Sequence, residues 1–471
     1  MSSSSTRRDV GDKYMKDVTA VILAGGKSKR MMSNFPKPMH KVGGAPMVGM
    51  VYDSVIKSGV GRCVVVVGFG AEHVMQYFGD KVEYARQSEQ LGTGHALLTA
   101  LDYLGDYCGR VLALFGDMPL VSPDTLKALV KQNIENGEHG TLVYADFDDP
   151  FGFGRIIRDA DGNFIKIIEE RDASPEVKKI RDGNVGIHCF DAAAARYALG
   201  RLSTDNNQGE MYLTDMFEQI ANGGMRVGLY KIGDSRECLG ANDRAQLAEL
   251  NRTLWREKCV ELMIKSGVTI TDPDASYIDR DVVIGMDTVI YPGCIIEGAV
   301  VIGEGCEIGP NSRIRGSRIG SRSKVEYSVV TDSVVGDDVS IGPYAQLRPG
   351  ANIGDGTKIG DFVEIKNSNI GERVSISHHA YVGDADVGSD VNIGCGVITC
   401  NYDGKLKHRT TICDNAFIGS NVNLVAPVTI NKYAYVASGS TITKDVPEDA
   451  LAVARERQSV KENWVTRKGL R

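Results

Sequence analysis

Residues 282–314 read VVIGMDTVIYPGCIIEGAVVIGEGCEIGPNSRI, and Ile284, Ile290, Ile296, Ile302, Ile308 and Ile314 recur in them every six residues. After a slip the series resumes as Val335, Ile341, Leu347, Ile353, Ile359 and Ile365, and a third series runs Ile412, Ile418, Leu424, Ile430, Val436 and Ile442. Small and turn-forming residues fill the gaps. A lone hexad cannot bury its apolar residue, whereas stacked hexads share one continuous core, so this period predicts a hexapeptide solenoid. A β-sandwich would need strands of variable length, which such regularity opposes. The period alone does not show the hand of the coil.

Upstream of residue 268 the pattern is different. Short β-branched runs, VTAVILAGG from Val18, CVVVVGF from Cys63 and RVLALFGDMPL from Arg110, alternate with longer amphipathic stretches. This is the βαβ signature of a mostly parallel, Rossmann-like sheet, whose functional loops follow the carboxyl ends of the strands. Between the halves, Leu247, Leu250, Leu254 and Leu262 fall near helical spacing in ANDRAQLAELNRTLWREKCVELMIKSG, which starts at Ala241. A connecting helix ending at or just before Gly267 follows. The expected organisation is a flexible extension over residues 1–16, an α/β domain over 17–240, a linker helix over 241–267, and a parallel β-helix with a C-terminal tail over 268–471.

Composition bounds the function. The chain has 471 residues, 42% hydrophobic and 24% charged, with a net charge of -7 and no long charge block. It is long enough for more than one core, and it lacks the basic surface that a nucleic-acid partner would need. No apolar run approaches the roughly 18 residues of a membrane span, and MSSSSTRRDVGDKYMKD lacks the apolar stretch of a secretory signal, so cytoplasmic residence without a membrane partner is expected. The ten cysteines are scattered between Cys63 and Cys413 without CxxC spacing, which reads as small apolar residues in a reducing compartment and not as a zinc or disulfide framework.

The strand ends carry the polar chemistry. Leu23-Ala24-Gly25-Gly26 allows backbone to approach a ligand closely, and Lys27, Lys29, Arg30 and Lys37 add the positive charge that suits a nucleoside triphosphate. Phe115-Gly116-Asp117 places a carboxylate at a strand end, where a metal ion would sit. Residues Gln87 to Gly94 offer amide, hydroxyl and backbone groups for a base, while Asn184 and Asn242 lie on later segments. In the solenoid, Arg348 and Lys366 stand 18 apart within an unslipped series, so two cations share one column, a repulsive arrangement that an anion such as a sugar phosphate relieves. Ser420 and Ser438 repeat that spacing, and Asn401-Tyr402-Asp403-Gly404-Lys405 begins a break in the hexads of the kind that forms a surface loop. His378 and His379 are adjacent, so on a strand they face opposite ways; either imidazole could take the proton of an attacking amine, and spacing does not choose between them.

The motifs LAGGKSKRM, FPKPMH, QLGTGHA, FGDMPL, DPFGFGRI, IIEERDA, GNVGI and GANDRAQL occur in the order found in bacterial N-acetylglucosamine-1-phosphate uridylyltransferases. The solenoid resembles the acetyltransferase half of the same bifunctional enzymes, and the likeness covers almost the whole chain. It implies a left-handed coil with three hexads to the turn and a homotrimer with acetyl sites between subunits. It implies acetylation of glucosamine 1-phosphate by acetyl-CoA, then magnesium-dependent coupling of N-acetylglucosamine 1-phosphate to UTP with release of pyrophosphate.

Residue by residue, the resemblance puts magnesium on Asp117 and Asn242, phosphate groups on the catalytic Arg30 and Lys37, and uracil on Gln87, Gly92 and Thr93. Leu23, Ala24, Gly25, Gly26, Phe115 and Gly116 complete the nucleotide site, with Gly154, Glu169 and Asn184 at the sugar. In the other half it selects His378 as the base with Glu364 as its orienter, surrounded by Arg348, Lys366, Tyr381 and Asn392 for glucosamine 1-phosphate. Cys395, Asn401, Tyr402, Ser420, Ser438 and Arg455 lie along acetyl-CoA. The chain departs from the family where Ser28 and Lys29 replace a glycine and a small hydroxyl, and where Cys395 and Ser438 stand at places that alanine commonly fills. Two rival readings are a nucleotidylyltransferase for other sugar nucleotides with a regulatory solenoid, and a non-catalytic trimeric stalk.

Overall fold

The computed structural model describes residues 13–27 and 30–471 and divides into two compact units, Met1–Asn251 and Arg252–Arg471. Ser28 and Lys29, and the serine-rich segment through residue 12, lie outside the described residues. Met15, which the sequence reading placed in a flexible extension, is fully buried in the first unit's core, so ordered packing begins before Asp17.

In the first unit the sheet runs Val227–Lys231, Gly140–Asp146, Asp182–Asp191, Arg110–Phe115, Val18–Leu23, Arg62–Val67 and Glu83–Arg86. All neighbours along it are parallel except Asp182–Asp191, which is antiparallel to both of its own. Val18–Leu23 is buried along its whole length, as a central strand covered on both faces must be. The helix Pro123–Glu135 starts where it does because Ser122 accepts from the Thr125 N–H and proline fills the first helical position, where an N–H would have no intrahelical partner. An antiparallel hairpin, Gly154–Arg158 with Phe164–Ile168, pairs with the start of Asp182–Asp191 and carries the DPFGFGRI and IIEERDA motifs to one side of the sheet.

The second unit is a left-handed parallel β-helix of three sheets with 11, 10 and 9 strands. Every predicted hexad residue points inward: all eighteen named in the three series are at most 4% exposed. On one sheet Ile290, Ile308, Val325, Ile341, Ile359, Ile376, Ile393, Ile418 and Val436 form a single buried ladder. The slip after Ile314 has a simple cause. The inward residues Ile314, Ile319, Val325, Val330 and Val335 are separated by five or six positions, so turn residues are lost while the buried column stays in register. The helix Arg244–Lys265 delivers Cys259 and Leu262 to the first coils, where they join the same core as Val268 and Ile270.

Candidate functional sites

At the carboxyl ends of three parallel strands, the loops form a cavity of about 620 Å³. Leu23, Ala24, Gly25, Gly26, Arg30, Lys37, Gln87, Gly92, Thr93, Phe115 and Asp117, all expected from the sequence, line it. A Cβ on Gly25 would sit 3.1 Å from both Gln87 Oε1 and the Gly68 nitrogen, so the loop and the Gln87 amide are closely packed there. Gly92 has φ of 113°, and a Cβ would meet the Met211 carbonyl at 2.5 Å. It opens the helix Thr93–Tyr103, whose Gly94 N–H donates to the Met211 carbonyl at 2.8 Å. The Gln87 side chain is fixed by Nε2 contacts to the Gly92 carbonyl at 3.3 Å and His95 Nδ1 at 3.0 Å.

Four charged or polar groups from distant segments meet at one point. Lys37 Nζ bonds Asp117 Oδ2 and, at 2.7 Å, Asn242 Oδ1, while Arg30 Nη2 reaches that same Asn242 oxygen at 2.9 Å. Two hard oxygen donors therefore converge on one cation, here an ammonium. Such a pair suits magnesium, which takes one or two protein oxygens and completes its shell with phosphates and water. Gly154, Glu169 and Asn184 come together with one another: Gly154 pairs with Asn184, and a Cβ on it would lie 3.3 Å from Glu169 Oε2. Glu169 accepts from the Thr214 hydroxyl at 2.8 Å, and burial, followed by the Asp172 charge, pushes its carboxyl above the ordinary range despite that bond. Burial and the neighbouring Glu169 raise Asp215 to about 6.

Lys27 and Gln90, read from the loop charge and from the Gln87–Gly94 stretch, also line the cavity, as do Arg171, Gln208 and Glu210, which sequence reasoning missed. Arg171 sits inside IIEERDA and was legible by position; Gln208 and Glu210 carry no sequence signal, and Arg171 meets Gln208 at 2.9 Å only through folding.

In the solenoid, strand register puts the expected residues in two columns. Asp361 is the strand partner of His378, and Cys395, Ser420 and Ser438 each stand two residues past Ile393, Ile418 and Val436, the paired residues of the same sheet, so continuing that register into the turns sets them in one column above His378. Asn392 lies on that sheet, with Ser375 and Phe417 as partners, and a Cβ on Gly439 would lie 3.9 Å from Arg455. On the adjoining sheet stand Arg348, Glu364, Lys366 and Tyr381. Cys395 is exposed, as the column's outward position requires.

Two expectations are corrected here. Glu364, expected to orient the imidazole, is paired with Arg348 at 2.7 Å, because its strand partner is Tyr381 and not the histidine. The imidazole partner within the chain is Asp361, 2.5 Å from His378 Nδ1, and that bond holds the Asp361 carboxyl below its usual range. His379, expected to alternate with His378 on one strand, lies beyond the strand Ser375–His378 at a corner with φ of 42° and stacks on Phe362 at 4.8 Å.

The break in the hexads folds as a small hairpin bridged between Tyr402 and Lys407. Asp403 builds it, accepting from the Lys405 and Leu406 N–H groups at 2.8 and 2.7 Å and meeting His408 Nε2 at 2.7 Å. The hairpin brings Lys407, another residue the sequence reading missed, beside Lys366, whose like charge lowers the Lys407 pKa. Three cations, Arg348, Lys366 and Lys407, thus gather around Tyr381.

Comparison with known proteins follows this division. Residues 20–212 match the MobA-like NTP transferase domain, residues 278–351 the GMPPB C-terminal domain, and residues 409–444 the bacterial transferase hexapeptide (six repeats). The bifunctional protein GlmU of Acetivibrio thermocellus is 50% identical over 456 residues, 97% of this chain and 99% of that protein. That of Caldanaerobacter subterraneus subsp. tengcongensis is 52% identical over 451 residues, 96% of this chain and 98% of that protein. The chain belongs to the bifunctional GlmU family. As a GlmU-family member it is a transferase with two activities in UDP-N-acetylglucosamine synthesis, uridylyl transfer and acetyl transfer. The nucleotidyltransferase and hexapeptide matches fall in separate compact units, so the two GlmU chemistries belong to separate parts of the chain.

Proposed function

We infer that the acetyl half works first, on glucosamine 1-phosphate and acetyl-CoA, and that its product is coupled to UTP in the first unit. The observation that supports this residue assignment most strongly is the register column Asp361, His378, Cys395, Ser420 and Ser438, which sets a candidate base at one end of an outward-facing track. With Nδ1 engaged by Asp361, Nε2 of His378 is the nitrogen left to accept a proton. The amine nitrogen of the sugar attacks the thioester carbonyl, its proton passes to Nε2, and the C–S bond breaks to release coenzyme A thiolate. Arg348, Lys366 and Lys407 bind the sugar phosphate, and Tyr381 borders it. Cys395, Asn401, Tyr402, Ser420, Ser438 and Arg455 flank acetyl-CoA.

In the first unit Gln87, Gly92 and Thr93 hold uracil, and Gly154, Glu169 and Asn184 hold the sugar. Asp117 and Asn242 would hold magnesium, which when bound neutralises triphosphate charge. Arg30 and Lys37 do the same from the protein side while a phosphate oxygen of N-acetylglucosamine 1-phosphate attacks the α-phosphorus and pyrophosphate leaves. The attacking phosphate is already ionised, so no protein base is required.

The column bearing His378 and the cations around Tyr381 occupy different faces of one prism, separated by the corner at His379. A neighbouring subunit would close acetyl-CoA and sugar phosphate between faces, so the working form is a homotrimer. Cytoplasmic residence fits the supply of UTP and acetyl-CoA. Purified protein with glucosamine 1-phosphate, acetyl-CoA, UTP and magnesium should yield UDP-N-acetylglucosamine, with each omission stopping one step. Turnover of GTP or ATP in preference to UTP, or acetyl transfer at full rate by a monomer in light scattering, would overturn the corresponding part.

A further inference from the structure

Asp384 is a carboxylate only 5% exposed, on the coil turn after Gly383, with φ of 51°. Its Oδ1 accepts from Asn367 Nδ2 at 2.6 Å and its Oδ2 from Asn401 Nδ2 at 2.5 Å. Its own backbone is tied at both ends, the N–H to the Lys366 carbonyl at 3.0 Å and the carbonyl to the Thr410 N–H at 3.1 Å. Burial alone would raise its pKa, but the two amide bonds and the charges of Lys366 and Lys407 hold it below the ordinary carboxylate range. It is therefore ionised at neutral pH and can only accept hydrogen bonds.

That has a consequence for Asn401, itself 8% exposed. An asparagine amide can usually turn over and exchange its donor for its acceptor. Here the turned form would set a carbonyl oxygen against a buried carboxylate, so the NH2 is compelled to face Asp384. The same nitrogen lies 3.4 Å from Tyr381 Oη, which occupies its second hydrogen. What remains for a ligand is Oδ1 alone, an acceptor for an N–H group.

We propose that Asp384 is a positioning residue for acetyl transfer, fixing the Asn401 amide so that it presents its carbonyl oxygen to an N–H donor of the bound substrates. The donor is the attacking amine or the pantetheine amide, which share this chemistry. The proposal rests on the placement of Asn401 beside acetyl-CoA. It gives the buried carboxylate a second effect, since its negative charge partly offsets Lys366 and Lys407 where the sugar phosphate binds.

The test is a double-mutant cycle on the full chain, read as thiol release from acetyl-CoA. Asp384→Asn keeps the shape but lets both neighbouring amides turn, and kcat should fall roughly 10-fold or more, the scale expected for a misplaced contact group. The KM for glucosamine 1-phosphate should not rise, because losing a negative charge near Lys366 and Lys407 favours the phosphate. Asn401→Ala should also lower kcat, and Asp384→Asn combined with Asn401→Ala should be no slower than Asn401→Ala alone. Asn367→Ala, which frees one Asp384 oxygen from the far side, should lower kcat in the same direction and lose its effect in the Asn401→Ala background; it serves if Asp384→Asn does not fold. Additive losses in the cycle, or a rise in KM with unchanged kcat, overturn the positioning role while leaving Asn401 in place. Wild-type acetyl transfer by Asn401→Ala removes the placement of Asn401 itself, and the proposal with it.

Discussion

His378 stands directly over Asp361 of the preceding coil, with Nδ1 2.5 Å from a carboxylate oxygen. The pair fixes which imidazole nitrogen is free, and it separates His378 from its neighbour His379, whose ring is stacked at the corner. His378→Ala should therefore lose acetyl transfer by ~10²-fold or more, the lower bound for a positioned general base, while uridylyl transfer is unchanged. Asp361→Asn should slow acetyl transfer by roughly 10-fold, as expected when a base loses its orienting partner. His379→Ala should be much milder. Thiol release for the three variants, with pyrophosphate release as control, checks all of it. A crippled His379→Ala beside an active His378→Ala would reverse the assignment.

Asp117→Ala removes one of the two oxygens that meet at Lys37 Nζ. Uridylyl transfer should fall by several orders of magnitude and lose its dependence on magnesium, since charge neutralisation at phosphate is the main source of catalysis in this reaction type. Acetyl transfer should be retained. Equal loss of both activities in a folded protein would count against two independent sites.

At Gly92 the backbone lies at φ of 113°, and an added Cβ meets the Met211 carbonyl at 2.5 Å. Gly92→Ala should cost about 1–3 kcal/mol of local strain and move the start of the helix Thr93–Tyr103 away from the cavity. The KM for UTP should rise, with acetyl transfer untouched. A variant with wild-type UTP kinetics would mean that the Gly92 turn does not shape the nucleotide site.

His188 is 1% exposed and lies against Phe217 with the rings tilted by 54°, and neither ring nitrogen has a hydrogen-bond partner among the described residues. Burial lowers its pKa to about 3 from the 6.5 of a free imidazole. In that window the unfolded chain binds a proton that the folded one does not, so stability is full above 6.5 and falls by about 1.4 kcal/mol per pH unit as pH drops toward 3. Asp215, raised to about 6 from 3.8, acts with the opposite sign over part of the same range, since its ionisation disfavours the folded state. Comparison of wild type with His188→Leu cancels Asp215. The difference between their denaturation midpoints should shift in favour of the leucine variant as pH falls below 6.5; a difference independent of pH would mean that His188 titrates in the folded protein much as it does when unfolded.

The hexad series was legible because it is local: each inward residue declares itself by spacing, and all eighteen are buried where the period put them. The strand-end loops were legible for a related reason, since a buried β-branched run must stop where its backbone meets a ligand-sized opening, and Gly25, Gly116 and Asp117 mark those stops. What folding alone decided are the contacts across coils and across the sheet. Whether His378 meets Asp361 or Glu364 depends on the exact length of one coil, because one residue more or less in a turn changes which side chains are stacked, and the period slips wherever a turn is short. Asn242 reaches Lys37 from 205 positions away, and Asp384 meets Asn401 because the coil between them is 17 residues long. Local periodicity determines which residues are buried; the partners of the polar ones depend on the length of each coil and, at Lys37 and Asn242, on chain closure over a long separation.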